Sequence, residues 1–205
     1  MLRRRLVLGS LVLVALSLGS SVTRAQDAVV SAPPSTAPAE PLVDNPHYLA
    51  WSKFKPGTQV DLDLNLGVAG QAMTSNVTMT LSEISPEKAV VESVAKMNVP
   101  GLPGGGQQEK QSKTYLAKVP KSEADRAFMP AGAVGESKET GTETISAAGK
   151  SYECKVREFT GKIQGQDAKG KMWRSEDVPG GLVKMEASGN TNMTITMELK
   201  RVTAK

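Results

Sequence analysis

From about residue 47 onward, hydrophobic and polar residues take turns along the chain. Val60, Leu62, Leu64 and Leu66 alternate with Asp61, Asp63 and Asn65, and Val77, Met79 and Leu81 alternate with Thr78 and Thr80. Met193, Ile195, Met197 and Leu199 alternate with Thr194, Thr196, Glu198 and Lys200. Successive side chains of an extended strand point to opposite faces, so each run presents one apolar and one polar side. Further strands are expected over residues 89–97, 111–119, 136–145, 152–163, 169–175 and 182–188. Turn residues separate them: Lys55-Pro56-Gly57, Ser85-Pro86-Glu87, Ala148-Gly149-Lys150, Pro179-Gly180-Gly181 and Gly189-Asn190.

Two stretches have helical features. Ser85-Pro86-Glu87 resembles a helix start, and Val90, Val91, Val94 and Met97 fit a helical face as well as a strand. Its valine content and its strand neighbours favour a strand. Ser122 and Asp125 stand at capping-box spacing ahead of Phe128, which predicts a short helix over 121–128. About nine strands with tight turns and no alternating long helices predict an all-β domain: a curved antiparallel sheet or open half barrel with one or two short helices. A domain of roughly 160 residues buries about two-thirds of its unfolded surface and stands without disulfides. Cys154 is the only cysteine.

The first 46 residues have a different pattern. Arg3-Arg4-Arg5, the apolar run 6–18 and Thr23-Arg24-Ala25 read as a signal peptide over residues 1–25. The apolar run is broken by Gly9, Ser10 and Ser17 and is shorter than the roughly 20 residues of a membrane span, so no transmembrane span is expected after cleavage. The arginines also fit a twin-arginine signal. Residues 26–46 hold five of the 12 prolines and read as an extended tether, either a spacer or a disordered leader. The β domain is placed at 47–205, in an exported protein of the periplasm or the extracellular space.

Charge changes the picture in one respect. The whole chain carries +4, but four of its 25 basic residues lie in the acid-free first 25, so residues 26–205 carry 21 charges of each sign. A neutral domain gives no footing for a nucleic-acid partner.

Most catalytic and metal constellations fail on spacing. Asp61, Asp63 and Asn65 imitate the start of a calcium loop, but three leucines intervene and the twelfth position is Ala72. Gly101-Leu-Pro-Gly-Gly-Gly106 continues with Gln107-Gln108 where a phosphate loop needs Lys and Ser or Thr, and Gly149-Lys150-Ser151 lacks the upstream glycine. The glycine-rich segment reads as a loop between strands, placed to cover a cavity mouth. The one histidine, His47, is about a hundred residues from Cys154, and no Gly-x-Ser-x-Gly elbow exists, so thiol and serine catalysis lack their base. Zinc lacks ligands. Glu153, Glu158, Glu176 and Asp177 are the acids left for a paired-carboxylate site, a least favoured reading against exposed strand and turn residues. The expectation is a non-enzymatic protein without cofactor or metal.

The last third runs Tyr152-Glu-Cys154, Gly161, then Met172-Trp173-Arg174-Ser175-Glu176-Asp177-Val178-Pro179-Gly180-Gly181-Leu182-Val183-Lys184. This Trp-bearing strand, Pro-Gly turn and returning strand resemble the periplasmic lipid- and lipoprotein-carrier half-barrels of the LolA/LolB type. The resemblance implies a curved sheet that holds acyl chains on its concave face. By itself the hairpin makes sense as a type II turn, with Pro179 presetting φ and Gly180 permitting positive φ, and Gly181 in a bulge. Trp173 is an anchor, either in the core or on a ligand surface. Met73, Met79, Met193 and Met197 give the apolar faces a flexible lining, which suits varied acyl chains or fills a core poor in aromatics. The candidate ligand-binding residues are therefore Val60, Leu62, Leu64, Leu66, Trp173, Met193, Ile195, Met197 and Leu199, with a lipid or other apolar ligand as partner. The alternative is an assembly module with a closed core that binds an envelope protein.

Overall fold

The computed structural model describes residues 40–68, 71–98, 108–130, 132–163, 165–190 and 193–205. The expected signal peptide, the tether up to residue 39 and the glycine-rich loop lie outside the described residues. The elements are β1 (Leu42–Asp44), α1 (Pro46–Ser52), β2 (Gln59–Val68), β3 (Gln71–Ile84), β4 (Lys88–Asn98), β5 (Gln108–Leu116), β6 (Lys118–Pro120), α2 (Lys121–Arg126), β7 (Ala133–Ala147), β8 (Lys150–Ile163), β9 (Gln166–Arg174), β10 (Leu182–Gly189) and β11 (Thr194–Thr203). The expected all-β architecture is what forms. Nine strands, one for each alternating run, make an antiparallel sheet in the order β5-β4-β3-β2-β11-β10-β9-β8-β7, and β1 pairs with β6 apart from it. Among the described residues, no helix is long and apolar enough to cross a membrane.

Three local features depart from the sequence reading. The strand expected over 111–119 breaks at Ala117, whose N–H donates to Glu87 O at 2.7 Å and whose carbonyl accepts from Asn45 N–H at 3.0 Å. Those bonds pull β6 out of the large sheet and onto β1. The second departure is α2, which ends at Arg126 and has no side-chain cap at Pro120. In place of a capping box, the Ser122 hydroxyl donates to the Glu40 carboxylate at 2.8 Å, so the helix start is held from 82 residues away. Third, α1 occupies the Asn-Pro sequence read as the end of the tether. The Asn45 side chain accepts from His47 N–H at 3.0 Å, and Pro46 sits in the first turn, where its missing N–H costs nothing.

Helix α1 bridges the two halves of the curved sheet. The Tyr48 hydroxyl donates to Ser85 O at 2.9 Å in the β3–β4 turn, and Gly180 N–H in the β9–β10 turn donates to Ala50 O at 3.0 Å. Strands β3 and β9 are four steps apart in the sheet, about 19 Å at ~4.8 Å per step if flat. Seven helical residues span only about 10 Å. The two halves of the sheet therefore bend toward each other, and Trp51, 1% exposed, fills the angle against Gly180.

Register divides the sheet into two sides. Met172, Met185, Met197, Leu64 and Ser75 lie opposite one another across β9, β10, β11, β2 and β3, and Gly170, Ala187, Ile195, Leu66 and Met73 form the next row. This is the inner side, which the helices face. Lys171, Glu186, Thr196, Asn65 and Thr74 alternate with them on the outer side. Outer charges pair locally, as in Lys171–Glu158 at 3.2 Å and Lys200–Asp63 at 3.3 Å. The edge strands β5 and β7 are charged and mostly exposed, which discourages pairing with another chain.

Candidate ligand-binding site

Along each central strand the inner side passes from sealed to open. On β2, Val60 and Leu62 are 2% and 3% exposed, whereas Leu64 and Leu66 are only half-buried. On β3, Leu81 is fully buried, and Met79, Val77 and Met73 are half-buried. On β11, Leu199 is buried, and Met197, Ile195 and the preceding Met193 are half-buried. The sealed ends pack with Trp51 of α1, and the open ends continue past the reach of that seven-residue helix. The result is a half-buried apolar trough of leucine, isoleucine and methionine at the margin of the core, in which Met193 and Ile195 also pack against a second buried cluster of Phe159, Ile163, Ala168 and Ala187.

Five of the nine candidate residues meet in that trough: Leu64, Leu66, Met193, Ile195 and Met197. Val60, Leu62 and Leu199 belong to the sealed core beneath α1. Trp173 is buried in the same cluster, reached from the other side of its strand. It is opposite Val156 and Lys184, and Lys184 is opposite Glu198, which places the indole on the outer side with the charges. There its Nε1–H donates to Glu143 at 2.7 Å, the Lys184 ammonium lies 5.3 Å from the ring centre, and the side chain is 6% exposed. Strand β8 explains how an outer residue is buried. Tyr152, Cys154 and Val156 are buried on that side, whereas Phe159 and Ile163 are buried on the inner one. The switch coincides with the register shift at Glu139 to Gly141 on β7.

At the β8–β9 end the trough meets a group of cations that the sequence pattern did not single out. Arg157 is opposite Met172 and continues the Met185–Met197–Leu64 row, and Arg174 is two residues along β9 from Met172. The Phe128 ring, just after α2, lies 4.1 Å from the Arg157 guanidinium and 5.7 Å from that of Arg174. Arg174 donates to two neutral acceptors, Ala127 O at 3.3 Å and Gly180 O at 3.1 Å. From the opposite wall, Tyr115 of β5 stacks on His47 of α1 with centroids 4.9 Å apart, and the Lys113 ammonium is 5.2 Å from the Tyr115 ring. Burial, and then the nearby Arg174 and Lys113 charges, push His47 down to about 4. Burial raises Tyr115, and burial together with Arg157 lowers Arg174.

The remaining candidates stay apart. Glu176 pairs with Lys53 at 2.7 Å and Lys155 at 3.4 Å, and Glu158 pairs with Lys171, so these acids meet lysines. Cys154 is fully buried, its thiol raised by burial and donating to Tyr152 O at 3.5 Å. Asp61 is buried as well, bound by Arg201 at 2.6 Å and by the Thr78 hydroxyl at 2.7 Å. Two clefts open on the outer side. One of about 650 Å³ lies between the β7–β8 turn and Asp63, Glu198 and Lys200. The other, of about 520 Å³, crosses β8 to β11 by Lys171, Glu186 and Thr196. Of the nine candidate residues, only Leu199 touches either cleft.

No family model and no curated protein matches the chain. Among solved structures, it is similar to a protein described as exported, with a YmcC-like fold, from Bacteroides fragilis (12% identity, 73% of this chain and 97% of that one, TM-score 0.44). A protein described as a lipoprotein from Parabacteroides distasonis matches at 12% identity over 75% of this chain and 98% of that one, with a TM-score of 0.48. A domain described as sorting outer-membrane lipoproteins, from Vibrio parahaemolyticus, matches at 10% identity over 72% and 85%, with a TM-score of 0.28. These matches include a weak resemblance to a lipoprotein-sorting domain. At these identities and scores it carries no argument about ligand or partner.

Proposed function

We propose that this is an exported, non-enzymatic protein of the cell envelope whose curved sheet holds one apolar chain in the trough of Leu64, Leu66, Met73, Ile195 and Met197. The observation behind the reading is the change of exposure along a single stripe. Leu62 and Leu64 are the same residue on the same strand and side, yet one is sealed and the other is only half-buried. A contiguous half-buried apolar stripe at the margin of a core is a place where an apolar chain can add to the packing. Its methionines are unbranched and polarizable and adapt to chains of different shape. The two outer clefts are poorer candidates, because the charges around them already pair with one another.

Native mass spectrometry of the protein purified from the envelope fraction tests this. A co-purifying molecule bearing an acyl chain, displaced by an apolar fluorescent probe, is the expected result. A ligand-free protein that also fails to bind the probe would remove the reading and leave the protein-partner alternative.

A further inference from the structure

Of the cations at the end of the trough, Arg157, Arg174 and His47 are half-buried and Lys113 is exposed, and Glu139 is the carboxylate found beside the two arginines among the described residues. Arg157 Nε is buried and has no hydrogen-bond partner among the described residues, and its Nη1 has only Glu139, at 3.7 Å and on the half-exposed side of an edge strand. Among the described residues, Arg174 bonds carbonyl oxygens alone. His47 and Lys113 approach from α1 and β5, and the other groups facing them are the Tyr115 phenol and the Phe128 ring. A guanidinium removed from water is costly unless an anion meets it, and bidentate pairing with a phosphate or carboxylate is the geometry its planar fork favours. Helix α1, β5, β8, β9 and the segment after α2 converge to put these groups together, which no need of the core explains.

We infer that Arg157 and Arg174, with Lys113 and His47, form an anion subsite that takes the acidic head of an amphiphile whose tail reaches Met197 and Leu64 across the buried Met172 and Met185. The inference rests on the trough reading and specifies its ligand class as a carboxylate- or phosphate-headed chain. Head and tail share one register, with the buried Met172 and Met185 between them. Arg157 and Leu64 stand at opposite ends of one cross-strand row, four strand spacings or about 19 Å apart along the sheet.

The test uses decyl phosphate, decanol and inorganic phosphate, titrated calorimetrically into the protein purified from the envelope fraction and cleared of bound lipid. His47, the only histidine, is followed in parallel by NMR. Decyl phosphate is expected to bind at least about tenfold tighter than decanol, the scale of one charge-assisted hydrogen bond, and to raise the His47 titration midpoint. Arg157→Gln is expected to close that gap and leave decanol affinity unchanged. Equal binding of decyl phosphate and decanol with His47 unmoved would overturn the subsite and leave the trough standing. Inorganic phosphate binding as tightly as decyl phosphate, with no decanol binding, would keep the subsite as a free-phosphate site and remove the trough. Arg157→Gln weakening both chain compounds equally would show Arg157 to be structural and would overturn the inference.

Discussion

The division of one stripe into core and trough predicts opposite phenotypes for two neighbouring substitutions, Leu62→Ala and Leu64→Ala. Leu62 is opposite Leu199 and Val77, 3% exposed and beneath α1, so truncation removes buried methyl groups and leaves a void. The expected loss is about 3 kcal/mol, within the range for sealed leucines. Leu64, opposite Met197 and Ser75, is half-buried in a surface already open to water, so only part of the transfer energy is lost and no closed cavity forms. About 1 kcal/mol is expected there. The difference, about 2 kcal/mol, corresponds to roughly 4–8 °C in Tm for a chain of this size. Urea midpoints at unchanged m-value measure it directly. Affinity for decanol should follow the reverse order, with a loss on the order of fivefold for Leu64→Ala and none for Leu62→Ala. Equal destabilisation by the two variants would mean that Leu64 is also core, and the division would be refuted. So would a decanol affinity that depends on Leu62 alone.

Two further outcomes follow from α1. Gly180 has φ +75°, and a β-carbon there would lie 3.0 Å from Trp51 Cζ2, so Gly180→Ala should cost about 1–3 kcal/mol and shift Trp51 fluorescence; wild-type stability in that variant would contradict the packing. His47 titrates at about 4 in the fold against 6.5 in the unfolded chain, so the unfolded chain takes up the proton first on acidification. Stability from this group is therefore full above pH 6.5 and is lost between 6.5 and 4, by at most about 3 kcal/mol. His47→Phe should flatten that window in denaturation midpoints, and parallel curves for the two proteins would show that His47 is not held neutral.

The strands were legible because a two-sided sheet writes its environment into every second residue. Each of the nine alternating runs became a strand of the large sheet, and the Pro179-Gly180 turn has its positive φ where expected. Helix α1 was not read, although Asn45 before Pro46 is a cap followed by a first-turn proline. Seven residues carry too little periodicity to stand out beside a proline-rich leader. The site was half legible. Leu62 and Leu64 look identical in sequence because the difference between them is imposed by a helix from outside the strand. Trp173 was left between core and ligand surface for a related reason: alternation fixes which residues share a side within one strand, but only cross-strand register says which side faces in, and the structure buries it in the core. Arg157, one residue after buried Val156, follows the point where β8 exchanges its buried side, and no local signal marks that exchange.

The aperiodic segments therefore decide what the periodic ones do. Strands β2, β3, β10 and β11 carry the same apolar rows along their whole length, and α1 ties the β3–β4 turn to the β9–β10 turn across them. Because the helix is only seven residues long, the seal ends between Leu62 and Leu64. The same crossing carries His47 onto Tyr115 and into the field of Arg174, and the chain leaving α2 sets Phe128 against both arginines. Sealing one end of the sheet and removing water from the cations beside it are thus one structural event. The apolar trough and the charged group adjoin because the same covering segments end at both.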